Sequence, residues 1–68
     1  MTLDCRGMLC PLPVIKLAQA LPSLEIGETI TVLADDPAAA IDIPAWCRMR
    51  SQELVSAADN QYVVRRVS

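Results

Sequence analysis

The sequence predicts an α+β fold, a two-layer βαβαββ sandwich in which two helices pack on one face of a mixed four-stranded sheet. The main indication is a change of hydrophobic period, because apolar residues recur every three or four positions in two segments and alternate elsewhere. The tail adds a hairpin signal, since Asp59 and Asn60 separate two short strand-like runs. With 68 residues, the chain is expected to form a single domain over residues 1–68.

The first half of the chain predicts a strand, a helix and a second strand. Residues 2–5 form the first strand, and Arg6 and Gly7 form a turn in which the glycine can adopt a positive φ. From Cys10 onward the period is helical, whereas residues 28–34 alternate and predict a strand covered on one side only. The apolar face of the helix consists of Val14, Leu17, Ala18 and Leu21.

Pro44 determines where the second helix is expected to begin. A proline inside a helix costs about 3 kcal/mol, so the sequence favours a start near Asp42, with Asp42 as N-cap and Pro44 in the first turn. Residues 38–41 would then form a separate turn or a loose leading turn. Residues 53–57 and 61–67 predict the two strands of the hairpin. The helix residues expected to be buried are Trp46 and Cys47.

Composition excludes several classes of function. The net charge of −2 and the two aromatic residues, one Trp and one Tyr, argue against a nucleic-acid-binding protein. The apolar runs are too short for a membrane span, and Asp4 and Arg6 interrupt the N-terminus before any signal-peptide core. An odd number of cysteines, three, indicates a reducing, cytoplasmic setting. With no His and only three Cys, the chain is not expected to form a four-ligand zinc site without carboxylate ligands. No cofactor is expected.

A cysteine stands directly before a proline-rich helix start. The first N–H groups of a helix have no intrahelical acceptor, so prolines are tolerated there. This predicts Cys10 as the N-cap, Pro11 as the first and Pro13 as the third helical residue, with the N–H of Leu12 available to the Cys10 sulfur. A helix N-terminus carries about half a positive charge, which lowers the pKa of a thiol and raises its thiolate fraction. Cys10 is therefore the candidate reactive residue.

Three further residues, one arginine and two cysteines, need an interpretation beside Cys10. Arg6 adds positive charge if the turn at Gly7 folds back towards Cys10. Cys5 is either a second, resolving thiol or a strand residue packed beside the core, and the packing interpretation is favoured. Cys47 is expected to lie in the core.

Two segments of the chain carry a family resemblance. With LDCRGMLCPLP and GETITVLADDPAAAIDIPAWC, the chain resembles the TusA/SirA-like sulfur-carrier family over residues 3 to about 54. The resemblance implies a βαβαββ protein in which the cysteine of the Cys-Pro-x-Pro motif, Cys10, alternates between thiol and persulfide. Ile41 stands where many relatives have Arg, Gln52 where many have His, and Leu12 where some have a charged residue.

The resemblance also implies protein partners. The sulfur donor would be a cysteine desulfurase or a rhodanese, and the acceptor a protein of the DsrE or TusBCD type. The protein would pass sulfur into one of three pathways, which are sulfur oxidation, tRNA thiolation and molybdoenzyme maturation. The free carrier is expected to be a monomer that binds neither membrane nor nucleic acid directly.

Two other functions remain open from the residues alone. One is a non-catalytic interaction or regulatory module that uses the open sheet face, with Thr29, Thr31 and Leu33. In that case Cys10→Ser would leave function intact. The other is a thiol–disulfide oxidoreductase using Cys5 and Cys10, which requires alpha carbons within about 7 Å and lacks the usual Cys-x-x-Cys spacing.

Overall fold

The computed structural model describes residues 1–9 and 11–68. Over this part of the chain the elements alternate between strand and helix before they end in a hairpin. Their bounds are β1 Thr2–Asp4, α1 Leu12–Ala20, a 3₁₀ turn Leu21–Ser23, β2 Thr29–Leu33, α2 Ala39–Met49, β3 Glu53–Ala58 and β4 Gln61–Arg65.

The strands form one mixed sheet in the order β1-β2-β4-β3. β1 runs parallel to β2, while β4 is antiparallel to both β2 and β3. Asp59 and Asn60 join β3 to β4 with φ of 53° and 60°, the conformation of a two-residue hairpin turn whose twist matches that of the strands. The α+β class, the element order and the hairpin predicted from the sequence are confirmed.

The core lies between the sheet and the two helices. Alternate residues of β2, including Ile30 and Val32, are fully buried, whereas Thr29 on the other face is exposed. The helices contribute Leu17 from α1 and Ile43 from α2, both without exposed surface. Further buried residues are Leu21, Leu24, Ala34, Ala39, Trp46, Cys47, Tyr62 and Val64. The predicted one-sided covering of the sheet is thus confirmed.

The predicted start of α2 at Asp42 is wrong. The helix begins at Ala39, Asp42 lies in its first turn, and Pro44 is inside it. A turn leads into this early start, because Asp36 Oδ1 accepts the N–H of Ala38 at 3.0 Å and Ala38 already has helical φ and ψ. Residues 38–41 are therefore the leading turn of the helix, one of the two predicted alternatives, and not a separate turn. The proline ring leaves one carbonyl of the first turn without its helical donor.

The strand ends differ from the predicted ones by one or two residues. β1 ends at Asp4 and β2 spans Thr29–Leu33, while β3 extends to Ala58 and β4 ends at Arg65. None of the helices in the described ranges is long and apolar enough to cross a membrane.

Candidate functional site

The candidate site is the loop between β1 and α1, residues 5–11, which we call the thiol loop. Cys10, the predicted reactive residue, lies outside the described residues, so the site is built from the residues on either side of it. Asp4 at the end of β1 pairs with Leu33 at the end of the parallel strand β2. Both strands therefore end at the same edge of the sheet, where the thiol loop meets the β2–α2 loop, residues 34–38. Loops at the carboxyl ends of parallel strands commonly form binding sites.

Backbone hydrogen bonds shape the thiol loop. The N–H of Cys5 donates to the Leu33 carbonyl at 2.7 Å, which extends the contact with β2 by one residue beyond β1. The Cys5 carbonyl then accepts the N–H of Met8 at 3.1 Å. On the far side of Cys10, the N–H of Leu12 donates to the Leu9 carbonyl at 2.9 Å. The loop therefore enters α1 through a closed turn.

The start of α1 differs from the prediction by one residue. The helix begins at Leu12, with Pro11 at the N-cap and Pro13 as the second helical residue. Cys10, predicted as the N-cap, lies outside the described residues, and the N-cap position of the described helix is held by Pro11. The N–H of Leu12, expected to be available to the Cys10 sulfur, is already bound to Leu9. The sequence indicated that prolines are tolerated at the start of this helix. It did not predict the turn that precedes the helix.

Arg6 is held by Asp4 rather than left free to approach other groups. Its Nη2 lies 2.7 Å from Asp4 Oδ2 and its Nε 2.9 Å from Oδ1, and its backbone N–H also donates to Oδ1 at 3.1 Å. The hydrogen bonds from Arg6 hold the pKa of Asp4 at about 2. Much of the positive charge expected from Arg6 is consequently offset by the Asp4 carboxylate.

Gly7 links the thiol loop to the β2–α2 loop. Its φ is +81°, a conformation that L side chains rarely adopt, as the sequence predicted. Its N–H donates to Asp35 Oδ1 at 3.0 Å. The contact with Asp35 was missed from the sequence, where the Asp-Asp-Pro run indicated only the end of a strand and a cap for the next turn. Two residues 28 positions apart meet here because β1 and β2 are parallel neighbours.

The two cysteines that the structure describes are both in the core. Cys5 has no exposed surface and Cys47 is 2% exposed. Burial raises the pKa of the Cys5 thiol, and the Asp4 carboxylate raises it further. Burial likewise raises the pKa of Cys47. Both thiols are thus poorly suited to attack another molecule. Within the described ranges, no group of three or more His, Cys, Asp or Glu could hold a metal ion.

An apolar groove lies between α1 and α2 beside the thiol loop. It has a volume of about 200 Å³ and is lined by Pro11, Val14, Asp42, Ala45, Trp46 and Met49. Met49 in its lining is 77% exposed. The thiol loop and the two helices expose further large apolar side chains, namely Leu9, Leu12, Ile15 and Ile41. The sequence identified Leu12 as part of the motif but did not show that apolar groups of both helices border one groove.

A second groove, of about 280 Å³, lies at the C-terminal ends of the helices and includes Gln52 and Arg66 in its lining. Gln52 Oε1 accepts the N–H of Val67 at 2.8 Å, and Arg66 donates to the carbonyls of Leu24 and Pro22. Both side chains therefore hold backbone segments in place. Gln52, noted in the sequence as a departure from the family pattern, thus binds backbone and side-chain groups of the C-terminal residues.

Comparisons with known proteins agree with this fold. A family model described as "Sulfurtransferase TusA" matches residues 1–66. A protein of Archaeoglobus fulgidus described as "Putative sulfur carrier protein" is 50% identical over 52 residues, which are 76% of this chain and 68% of that protein. The crystal structure of a SirA-like protein from Desulfitobacterium hafniense superposes with a TM-score of 0.70 at 29% identity, covering 93% of this chain and 89% of that one.

Proposed function

The chain belongs to the TusA sulfurtransferase family, and we propose that its Cys10 carries sulfane sulfur as a persulfide from a donor protein to an acceptor protein. Family membership and the related sulfur-carrier protein support the carrier role. The assignment to Cys10 rests on its place in the Cys-Pro-x-Pro sequence, followed by Pro11 and Pro13, and on the state of the other two thiols.

The burial of Cys5 and Cys47 is the observation that carries this assignment. A sulfur carrier must bring its sulfur into contact with a partner's cysteine, which a thiol with 0% or 2% exposure cannot do without unfolding. The raised pKa of each also reduces the fraction present as thiolate, the nucleophilic form. In the sequence Cys10 directly precedes Pro11, the N-cap of α1, and the positive end of a helix favours an anion.

The transfer needs no oxidant and no general base. The Cys10 thiolate attacks the terminal sulfur of the donor's persulfide, so that a new S–S bond forms at Cys10 and the donor cysteine leaves as a thiolate. In the second step an acceptor thiolate attacks the terminal sulfur of the Cys10 persulfide, and Cys10 leaves as a thiolate. Each step exchanges one S–S bond for another.

The donor in this proposal is a cysteine desulfurase or a rhodanese, and the acceptor is a protein of the DsrE or TusBCD type. The apolar groove beside Pro11 and the exposed side chain of Met49 support docking at this edge, because transient partners must cover the thiol loop. The carrier acts as a cytoplasmic monomer, and its negative net charge does not favour direct contact with nucleic acid.

Intact mass spectrometry tests the proposal. The wild type, Cys10→Ser, Cys5→Ala and Cys47→Ala would each be incubated with a cysteine desulfurase and cysteine, or with a rhodanese and thiosulfate. We expect one added sulfur atom on the wild type and on both core variants, removed by dithiothreitol, and none on Cys10→Ser. Loading of Cys10→Ser to the same extent would reject Cys10 as the carrier. Failure of every donor would favour a binding module without sulfur chemistry.

A further inference from the structure

We propose that Asp35 is a positioning residue for the thiol loop, acting through its hydrogen bond to the backbone of Gly7. The inference rests on the proposed function, since it concerns how Cys10 is held for sulfur transfer. Asp35 belongs to the β2–α2 loop and lies outside the Cys-Pro-x-Pro sequence. Its Oδ1 accepts the Gly7 N–H at 3.0 Å, three residues before Cys10.

The bond between Gly7 and Asp35 joins the thiol loop to the β2–α2 loop. The sheet brings these two loops together, but its strand pairing does not extend to them. The ladder between β1 and β2 ends at the Cys5 N–H, which donates to the Leu33 carbonyl. Beyond it, the described backbone bonds at Met8 and Leu12 lie within the loop. Asp35 therefore supplies a cross-link from the end of β2 to the part of the thiol loop that follows the last ladder bond.

Gly7 is suited to this bond by its backbone conformation. A Cβ built at Gly7 would have nothing within 4 Å, so the glycine is not required by lack of space. What it provides is the φ of +81°, in which its N–H faces Asp35. The pairing of this conformation with a carboxylate 28 residues away indicates that the position of the loop is determined by both segments.

The charge of Asp35 does not explain why an acidic residue would be favourable beside the thiol loop. The site would hold a thiolate or a persulfide anion, and a nearby carboxylate disfavours another anion. Asp4 raises the pKa of Arg6 through its hydrogen bond, and Asp35 adds a smaller contribution of the same sign, which places its carboxylate near the guanidinium. A hydrogen bond that fixes the loop gives Asp35 a role despite its unfavourable charge.

Two substitutions separate the hydrogen bond from the charge. Asp35→Asn retains a carbonyl oxygen that can accept the Gly7 N–H but has no charge, whereas Asp35→Ala has neither. The difference between these variants therefore measures the hydrogen bond, since Asp4, Arg6 and Lys16 are the same in both. Glu25→Ala, which removes an exposed carboxylate at the opposite edge of the sheet, is the control.

The first readout needs no partner protein. The rate of Cys10 alkylation by iodoacetamide is followed against pH by mass spectrometry in the folded protein. We expect the apparent pKa of Cys10 in Asp35→Ala to lie about half a unit above that in Asp35→Asn, because a loosened thiol loses part of the helix N-terminal field. Coincident profiles for the two variants would overturn the inference.

The second readout is sulfur loading from a donor under steady-state conditions. We expect Asp35→Ala to lose kcat by about fivefold, the ratio that corresponds to one net hydrogen bond, with KM nearly unchanged. Asp35→Asn and Glu25→Ala should retain the wild-type kcat. An equal loss of kcat in Asp35→Asn and Asp35→Ala would indicate that the charge of Asp35 matters and would reject the role of its hydrogen bond. If the wild type itself is not loaded, the proposed function fails, and the alkylation profiles still decide the role of Asp35.

Discussion

Asp4 and Arg6 form a two-pronged ion pair at the entrance of the thiol loop, with Asp4 Oδ1 and Oδ2 bound to Arg6 Nε and Nη2 at 2.9 and 2.7 Å. Both side chains are more than half exposed, so water screens the pair and its net contribution to stability is small. Its measurable consequence is a protonation equilibrium, because the hydrogen bonds favour the charged carboxylate and lower the pKa of Asp4 to about 2.

Arg6→Ala is expected to return the pKa of Asp4 from about 2 towards the ordinary 3.8. Because the folded-state pKa is depressed, the stabilisation from Asp4 is complete above the unfolded value and is lost as pH falls through about 2. Wild type should therefore lose more stability than Arg6→Ala as the pH falls from 3.8 to about 2. NMR titration of the Asp4 carboxyl carbon measures the shift.

Arg65→Ala is the control for this titration. It removes the other exposed ion pair of the described residues, with Glu53 at 2.7 Å, which lies away from the thiol loop. Asp4 should titrate in this variant as it does in the wild type. The interpretation would be wrong if Asp4 titrated identically in wild type and Arg6→Ala.

The three cysteines should react with iodoacetamide in two classes at neutral pH. Cys5 and Cys47 are buried and have raised pKa values, so both accessibility and thiolate fraction protect them. We expect peptide mapping to find alkylated Cys10 in the native protein and all three modified in denaturant. Rapid modification of Cys5 in the native state would instead support a second reactive thiol.

The sequence predicted the fold well where hydrophobic period determines it. The alternation at Ile30 and Val32 and the helical spacing at Leu17 identify the buried faces directly, because side chains repeat every two residues in a strand and every 3.6 in a helix. The hairpin turn was equally predictable, since Asn60 and its neighbour tolerate positive φ.

Helix starts were less predictable because several local hydrogen bonds compete there. At α2, the turn at Asp36 leads directly into the helix, which starts at Ala39 although Pro44 then lies inside it. At α1, the Leu12 to Leu9 bond shifts the start by one residue. The contact of Asp35 with the thiol loop depends on strand pairing, which no local pattern contains.

Met49→Glu tests the docking edge. Met49 is 77% exposed and lines the groove beside Pro11, so a charge there should leave the fold intact while opposing an apolar contact with a partner. We expect KM for sulfur loading to rise about tenfold with little change in kcat, as for a residue central to an interface. Steady-state loading with a cysteine desulfurase or a rhodanese measures both constants.

Ile26→Glu is the matched control for Met49→Glu. Ile26 is 62% exposed but precedes β2, at the edge of the sheet opposite the thiol loop. Its KM should equal that of the wild type. An equal rise in both variants would show that the acidic charge, rather than the position, affects loading.

Pro44→Ala is expected to stabilise the protein by about 2 kcal/mol. The alanine supplies the N–H that the carbonyl of Ala40 lacks, which removes a cost of about 3 kcal/mol, while the unfolded chain gains freedom worth about 0.4–1 kcal/mol. Urea unfolding followed by the fluorescence of Trp46, the single tryptophan, measures the free energy of unfolding.

Pro22→Ala is the control for Pro44→Ala. Pro22 lies at the start of the 3₁₀ turn, where no N–H is required, so its replacement should change the free energy of unfolding by at most about 0.5 kcal/mol. Equal stability of Pro44→Ala and wild type would mean that the helix has already accommodated the missing bond at no cost.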